Sequence, residues 1–215
     1  MYRAVLFDLD GTLAETDSLH LPTWIDALLP HGIEVDEAFY KENISGRANA
    51  EIVEDLLPNI SAQEGREIVE TKESSFRERA VELEPLPGLL DFLQSVKERG
   101  TRTGLVTNAP RENVVAVLRA LRLEDFFDVV VTSEQVRVGK PDPEPYLTAL
   151  ERLGADPAET LTFEDSVSGI ASAVGAGIPT VGIASTQEPG RLREAGAFMV
   201  AKDFTDPKLR ALVGD

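Results

Sequence analysis

Two aspartates, Asp8 and Asp10, stand one residue apart directly after the apolar run from Ala4 to Phe7. The run is typical of a strand covered on both faces, so the two carboxylates and Gly11 fall where the chain must turn. Clustered negative charge beside a buried strand is costly unless a cation or a chemical task offsets it. The pair alone is weak evidence, because Asp-x-Asp is common on protein surfaces.

Further polar residues come at the ends of later apolar runs. Thr107 and Asn108 follow the second run, and Lys140 lies in the segment VRVGKPDPEPY after the third. Glu164 and Asp165 end the fourth. Ligands of open parallel sheets bind outside the carboxyl ends of the strands, so we expect these side chains to meet the aspartate pair in one crevice.

Such a crevice has the groups that phosphoryl transfer needs. In this interpretation Asp8 attacks phosphorus and becomes a transient aspartyl phosphate, while Asp10 protonates the leaving oxygen and later takes a proton from water. Lys140 and the Thr107 hydroxyl neutralise and orient the phosphoryl oxygens. Four carboxylates this close cannot all stay ionised without a divalent cation, and oxygen ligands suit magnesium.

Each of these residues also has an ordinary structural explanation. Thr107 is a good β-former, and Lys140 suits a solvated turn before prolines. Glu164 and Asp165, which we expect to hold the metal, also suit the N-cap of a following helix. Order, spacing and placement at strand ends together favour the catalytic interpretation.

The elements that position these residues are predicted from hydrophobic patterns. From about residue 85, short apolar runs alternate with helical stripes, which is typical of a parallel α/β sheet. The predicted strands are 4–7, 103–107, 127–133, 160–165, 179–184 and a short one near 197–200. The predicted helices carry the stripes Leu89, Leu90, Leu93, Val96; Val114, Val117, Leu118, Leu121; and Tyr146, Leu147, Leu150, Leu153, and a fourth covers 167–176.

Residues 15–82 interrupt this alternation with helical periodicity and no strand pattern. They predict an all-helical cap domain inserted into a core made of 1–14 and 83–215, with LEPLPG at 83–88 as the return hinge. Pro22 predicts that the first cap helix starts late or kinks there. Both ends of the insertion lie beside the acidic strand end, so cap movement would cover or expose the site.

Composition excludes several classes of function. The 215-residue chain is 42% hydrophobic, enough for a substantial core. Its net charge of -17, spread without a basic patch, argues against nucleic acid or an anionic membrane surface as partner, but it allows a small anion to bind at a local positive site. The absence of cysteine excludes disulfides, thiolate metal sites and a cysteine nucleophile. The sequence shows no signal-peptide pattern and no long apolar span, so we expect a cytoplasmic protein. The sequence is compatible with a monomer.

Four ordered motifs closely resemble those of the haloacid dehalogenase superfamily of phosphohydrolases. They are DLDGT at 8–12, TNAP at 107–110, GKPDP at 139–143 and FEDS at 163–166. The resemblance covers essentially the whole chain and implies a Rossmann-like α/β core with a helical cap inserted after the first motif. By motif match it implies these roles: nucleophile Asp8; acid/base Asp10; phosphate contacts Thr107, Asn108 and Lys140; magnesium ligands Asp8, Glu164, Asp165 and the backbone carbonyl of Asp10.

Within the superfamily, ETDSLHLPTW and FEDSVSGIASAVGAG are similar to the β-phosphoglucomutase and sugar-phosphatase branch. Dehalogenases fit less well, because they lack the second aspartate. The mutases place a cap arginine three residues after a glycine to hold a second phosphate. Here Asn49 occupies that position after Gly46, and Arg47 follows the glycine directly. The departure favours a magnesium-dependent phosphatase acting on small phosphorylated sugars, with β-phosphoglucomutase as the alternative.

Only the cap is left to contact the sugar, because the strand-end residues are committed to phosphate and metal. The candidates are His20, Trp24, Arg47 and Asn49. All four also suit ordinary positions in helices, turns or the core of the cap. A receiver-like phosphoacceptor module and a non-catalytic sugar-phosphate binder are minor alternatives. A receiver's acceptor aspartate should end an internal strand, and a mere binder has no use for both Asp8 and Asp10.

Overall fold

The computed structural model describes residues 2–214. Six parallel strands form one sheet in the order β3-β2-β1-β4-β5-β6. The strands are β1 Ala4–Phe7, β2 Arg102–Val106, β3 Val129–Val131, β4 Thr160–Glu164, β5 Thr180–Ile183 and β6 Met199–Ala201. The predicted α/β class and parallel sheet are confirmed.

Ten α-helices surround or extend this sheet within the described residues. They are α1 Asp17–Leu28, α2 Glu37–Asn43, α3 Asn49–Leu56, α4 Ala62–Arg79, α5 Leu89–Glu98, α6 Arg111–Leu121, α7 Glu144–Leu153, α8 Val167–Gly175, α9 Pro189–Glu194 and α10 Pro207–Val213. None of the helices in 2–214 is both long and apolar enough to cross a membrane.

The central strand β1 is buried on both faces, as its apolar run predicts. Val5 and Phe7 contribute to one hydrophobic cluster, and Ala4 and Leu6 contribute to another. Because β1 lies between β2 and β4, its carboxyl end is flanked on both sides by the ends of parallel neighbours. Any polar group that follows β1 is therefore placed at the centre of that edge.

Helices α1 to α4 form an insertion with its own hydrophobic cluster, which includes Trp24, Tyr40 and Ile52. The C-terminal turns of α4 pack differently, because Phe76 belongs to the main core cluster. The cap therefore rests on the core through α4. Its limits at 15 and 82 stay a prediction.

Two details of the sequence prediction were wrong, and a third was wrong in part. Helix α1 begins at Asp17 and runs through Pro22, so it does not start late, and the alternative of a kink at Pro22 stays a prediction. The helix packs against α4 despite the intrahelical bond that proline removes. Leu90 and Leu147 are 47% and 48% exposed, because they lie at the margin of their helical faces. The strand predicted over 127–133 is shorter in the structure: only Val129–Val131 forms β3, which is an edge strand with one partner.

Candidate active site

The predicted site residues follow three adjacent strands. Asp8 comes directly after β1, Thr107 directly after β2, and Glu164 ends β4. The main chain continues to pair beyond the strands: the Asp8 N–H donates to the Phe163 carbonyl (3.0 Å). The sheet therefore brings Asp8, Thr107 and Glu164 to one edge, as the sequence predicted.

Lys140 joins two of these carboxylates. Its Nζ lies 2.6 Å from Asp8 Oδ1 and 2.6 Å from Glu164 Oε1, and it donates to the Val106 carbonyl (2.8 Å). The Tyr146 hydroxyl donates to the same Glu164 oxygen (2.8 Å). The side chains of Asp8 and Glu164 are almost completely buried. Lys140 is thus held as a charged bridge between the two strand ends.

Asp165 is fixed by two hydroxyls from other segments. Thr12 Oγ1 donates to Asp165 Oδ1 (3.3 Å), and Thr186 Oγ1 donates to Oδ2. Gly11 has φ of +74°, and a Cβ at this position would collide with the Asp165 carboxylate. The glycine after the aspartate pair therefore permits both the left-handed turn and the close approach of Asp165.

The buried charges at this edge are unbalanced. One oxygen each from Asp8, Glu164 and Asp165 lies within 4.8 Å of the others, and Lys140 is the cation between two of them. Burial raises the pKa of Asp8 to about 8 although Lys140 opposes it, and burial with the nearby carboxylates holds the pKa of Asp165 well above its usual range. Three oxygen donors with excess negative charge fit a hard divalent cation.

The side chain of Asp10 lies outside that acidic group and faces the cap. His20 Nε2 lies 3.7 Å from Asp10 Oδ1. Burial alone would raise the pKa of Asp10, but the hydrogen bond and charge of His20, with a hydrogen bond from Thr16, lower it below its usual value. The His20 ring stacks on Phe76 with centroids 4.2 Å apart. The cap therefore sets the electrostatic environment of Asp10.

The four predicted cap residues all line one cavity of about 170 Å³ together with Asp8 and Lys140. Their polar groups are partly engaged inside the cap. Arg47 Nη1 donates to the Asn43 carbonyl (3.0 Å), and Nη2 pairs with Asp55. The side chain of Trp24 is 2% exposed and belongs to the hydrophobic cluster of the cap. All four residues therefore border the cavity, and Arg47 and Trp24 are also held by contacts within the cap.

Sequence reasoning missed a buried polar cluster on α4. Lys72 and Glu73 are 2% and 3% exposed, and Lys72 Nζ lies 2.9 Å from His20 Nδ1 and 2.8 Å from Glu73 Oε1. Glu73 also accepts from Asn49 of α3 and from Asn113 of α6. The charged segment ETKESSFRER is typical of a solvated helix face, so the sequence pattern carries no signal for the burial of Lys72 and Glu73.

Two further residues near the acidic group were also missed. Thr186 lies just after β5, so the strand-end rule that found Thr107 would have found it. Tyr146 was predicted as a member of an apolar stripe, and its ring is buried, but its hydroxyl bonds Glu164. An apolar stripe carries no signal for that bond.

Known proteins are similar to this one along nearly the whole chain. Residues 5–183 match the family model described as haloacid dehalogenase-like hydrolase. A phosphorylated carbohydrates phosphatase of Thermotoga maritima is 34% identical over 207 residues, 93% of this chain and 94% of that protein. A β-phosphoglucomutase of Bacillus subtilis is 29% identical, over 98% of this chain and 93% of that protein. The crystal structure of CbbY from Rhodobacter sphaeroides with phosphate superposes with a TM-score of 0.87 at 28% identity, covering 96% of both chains.

Proposed function

The chain belongs to the haloacid dehalogenase-like hydrolase family and is a phosphoric monoester hydrolase, and we propose that it is a magnesium-dependent phosphatase of small sugar phosphates. The observation that carries this proposal is the buried group of Asp8, Glu164 and Asp165 with Lys140 between two of its members. This group lies beneath a cavity that the cap helices complete.

The first chemical step takes place on Asp8. A carboxylate oxygen of Asp8 forms a bond to phosphorus, the bond from phosphorus to the sugar oxygen breaks, and Asp10 gives its proton to that oxygen. The low pKa of Asp10 means that it must first gain a proton, and an entering phosphate dianion favours this by like-charge repulsion. The products are the free sugar and an aspartyl phosphate.

The second step releases phosphate. Asp10, now ionised, accepts a proton from water while the water oxygen attacks the phosphorus of the aspartyl phosphate. The bond to the Asp8 oxygen breaks, and inorganic phosphate leaves. The low pKa of Asp10 suits this half of the reaction, since His20 stabilises the ionised form.

The neighbouring residues orient the phosphoryl group. Lys140 Nζ, already beside Asp8, can pair with a phosphoryl oxygen. The Thr107 oxygen accepts from the Ala109 N–H (2.9 Å), so its proton is left to donate to the phosphate. The Asn108 side chain is occupied by both main-chain groups of Lys140, at 3.0 and 3.2 Å, so we assign the Asn108 main-chain N–H to the phosphate.

The acidic group fits magnesium, because all its donors are oxygens and its negative charge exceeds that of Lys140. Asp8, Glu164 and Asp165 would hold the ion with the backbone carbonyl of Asp10. When bound, the ion offsets the charge of the phosphoryl oxygens.

β-Phosphoglucomutase is the second candidate, because a relative of that name matches nearly the whole chain. Both activities use the same aspartyl phosphate and differ in whether water or a sugar hydroxyl attacks it. Arg47 is paired with Asp55 rather than presented without a partner to a second phosphate. This pairing favours the phosphatase. Cytoplasmic localisation and the monomeric state stay predictions.

A panel of sugar phosphates with magnesium tests the proposal, with conversion of β-glucose 1-phosphate to glucose 6-phosphate followed in parallel. We expect release of inorganic phosphate that stops in chelator and returns with magnesium, while calcium fails to restore it. Asp8→Asn protein, purified in the same way, controls for contaminating phosphatases. Phosphate release that persists in chelator contradicts the proposal, and glucose 6-phosphate formation without phosphate release selects the mutase.

A further inference from the structure

A second cavity, of about 520 Å³, opens beside the active site and is bordered by four cations. They are Lys41, Arg191, Arg193 and Lys202, which we call the basic cleft. Arg191, Arg193 and Lys202 lie within twelve residues of the sequence, and Lys41 comes from the insertion far before them. Folding gathers them although the net charge of the chain is -17.

The charges of the basic cleft are not neutralised by ion pairs. Among the described residues, the side chains of Lys41 and Arg193 have no carboxylate within ion-pair distance, and Arg191 donates to the neutral amide of Gln187 (2.9 Å). Glu188 and Asp17 also line the cavity. Four cations therefore face two carboxylates, which leaves a positive surface.

One of those carboxylates, Asp17, accepts hydrogen bonds from other residues of the insertion. The Tyr40 hydroxyl donates to Asp17 Oδ1 (2.7 Å), and Ser45 Oγ lies 3.5 Å from Oδ2. The hydrogen bonds of Thr205 and the charge of Lys202 lower the pKa of Asp203, so Asp203 partly offsets the charge of Lys202. The positive charge of Lys41, Arg191 and Arg193 is available to an anion from solution.

The basic cleft is continuous with the catalytic cavity. The two cavities share Asp17, Ser45, Thr186 and Gln187 in their walls. Thr186 also donates to the Asp165 carboxylate, so one side chain both borders the cleft and contacts the acidic group. The cleft is therefore placed to contact the part of a substrate that extends away from a phosphoryl group at Asp8.

The walls of the cleft come from both parts of the protein. Lys41 lies in the last turn of α2 in the insertion, whereas Arg191 and Arg193 lie on α9 and Lys202 follows β6. A ligand that contacts both walls would hold the insertion against the core. This is a second place, apart from Arg47, where the insertion can contact substrate.

We propose that the basic cleft binds a second anionic group of the substrate, a phosphate or a carboxylate, so that sugars with two anionic groups are preferred. This inference rests on the proposed function, because the first anionic group is the phosphate that Asp8 attacks. Charge-assisted contacts from lysine and arginine are the interactions that distinguish such a group from a hydroxyl.

Calorimetric binding to Asp8→Asn protein with magnesium tests the cleft without turnover. The probes are glucose 6-phosphate, 6-phosphogluconate and glucose 1,6-bisphosphate, which place a hydroxyl, a carboxylate and a phosphate at the far end of a similar sugar. We expect the two-anion compounds to bind about tenfold more tightly than glucose 6-phosphate. If only 6-phosphogluconate or only glucose 1,6-bisphosphate binds more tightly, that result identifies the anionic group that the cleft binds and supports the proposal.

Lys41→Gln with Arg193→Gln removes one cation from each wall. We expect this pair to weaken the preferred two-anion compound about tenfold and glucose 6-phosphate by about threefold or less. The matched control is Arg119→Gln with Lys208→Gln, which makes the same charge change at exposed positions that line neither cavity. The control should leave all three affinities within about twofold.

Equal affinity of the protein for one-anion and two-anion compounds overturns the proposal. An equal loss of affinity for all three probes in the Lys41→Gln, Arg193→Gln variant also overturns it, because that result indicates a general attraction of anions. Failure of the proposed function is distinguishable, because it appears as absence of phosphate release from every substrate by the wild-type enzyme. A selective loss of binding in the cleft variant would still support the cleft in that case.

Discussion

The two sides of the catalytic cavity hold buried charges in different balance. On the core side, Asp8, Glu164 and Asp165 share one ammonium, Lys140. On the insertion side, Glu73 pairs with Lys72 one to one at 2.8 Å. The core side therefore has negative charge left for a cation and for chemistry, whereas the insertion side is nearly neutral and serves to hold neighbouring groups in place.

The pKa values follow this difference. Burial raises the pKa of Asp8 to about 8 despite Lys140, and the charges of Glu164 and Asp10 add to the increase. Burial would also raise the pKa of Glu73, but the charge and hydrogen bond of Lys72 and a hydrogen bond from Asn113 lower it. Variants on the core side should therefore change the chemical step, and variants on the insertion side should change substrate binding.

Asp8→Asn should give the largest effect. An amide has nearly the shape of the carboxylate but cannot attack phosphorus, so we expect turnover to fall by about ten-thousandfold or more. Phosphate release in steady state measures the loss, and a thermal melt checks that the variant is folded. A folded variant with a rate near that of wild type contradicts the assignment of the nucleophile.

Asp10→Asn should lower turnover of a sugar phosphate by about a thousandfold, because both proton transfers need this carboxylate. The loss should be smaller for p-nitrophenyl phosphate, whose leaving group needs little protonation. His20→Gln is a useful comparison, since it removes the cap contact and leaves the acid/base in place. Equal losses for both substrates in Asp10→Asn would count against a general-acid role.

Magnesium affinity should depend on pH through Asp8. Below about pH 8 the buried Asp8 of the metal-free protein holds a proton that a cation must displace, so affinity rises with pH. We expect the dissociation constant to fall by at least about fiftyfold between pH 6 and 8, because Asp165, whose pKa is also raised, releases a proton as well. Calorimetry at three pH values measures it, and Asp8→Asn should reduce the slope. A flat profile in wild type refutes the coupling.

Arg47→Ala should have the smallest effect, a loss in kcat/KM of about tenfold with magnesium affinity unchanged, if Arg47 contacts substrate from the cavity wall. Asp55→Ala is the matched control, because it removes the partner of Arg47 and leaves the guanidinium. A contact to substrate predicts that only Arg47→Ala lowers kcat/KM. Lowered melting temperatures in both variants with unchanged kinetics would leave Arg47 a purely structural role.

The sequence predicted the core side well because local patterns and sheet topology determine it. The apolar run before Asp8 specifies a buried strand, and parallel strands bring Asp8, Thr107 and Glu164 to one edge whatever the lengths of the intervening segments. The burial of Leu90 was mispredicted, because the segments that pack against the helix decide which residues at the margin of its apolar stripe are covered.

The insertion side was harder to predict because its contacts join helices that are far apart in sequence. Glu73 on α4 bonds Asn113 on α6 and Asn49 on α3, and no periodic pattern specifies such a set. The same holds for the basic cleft, where Lys41 and Arg193 come together only through the position of the insertion on the core. Charged residues in a helix are assigned to solvent by pattern alone, so buried pairs such as Lys72 with Glu73 are missed.

A rapid-quench measurement with a sugar phosphate labelled in its phosphoryl group tests the central claim most directly. Within the first turnover of the wild-type enzyme with magnesium, we expect a covalent label that hydroxylamine removes and that maps to the peptide containing Asp8. Asp8→Asn protein should carry no label under the same conditions. Inorganic phosphate formed in the first turnover without any covalent label, or a label that maps to another residue, would contradict the aspartyl-phosphate mechanism.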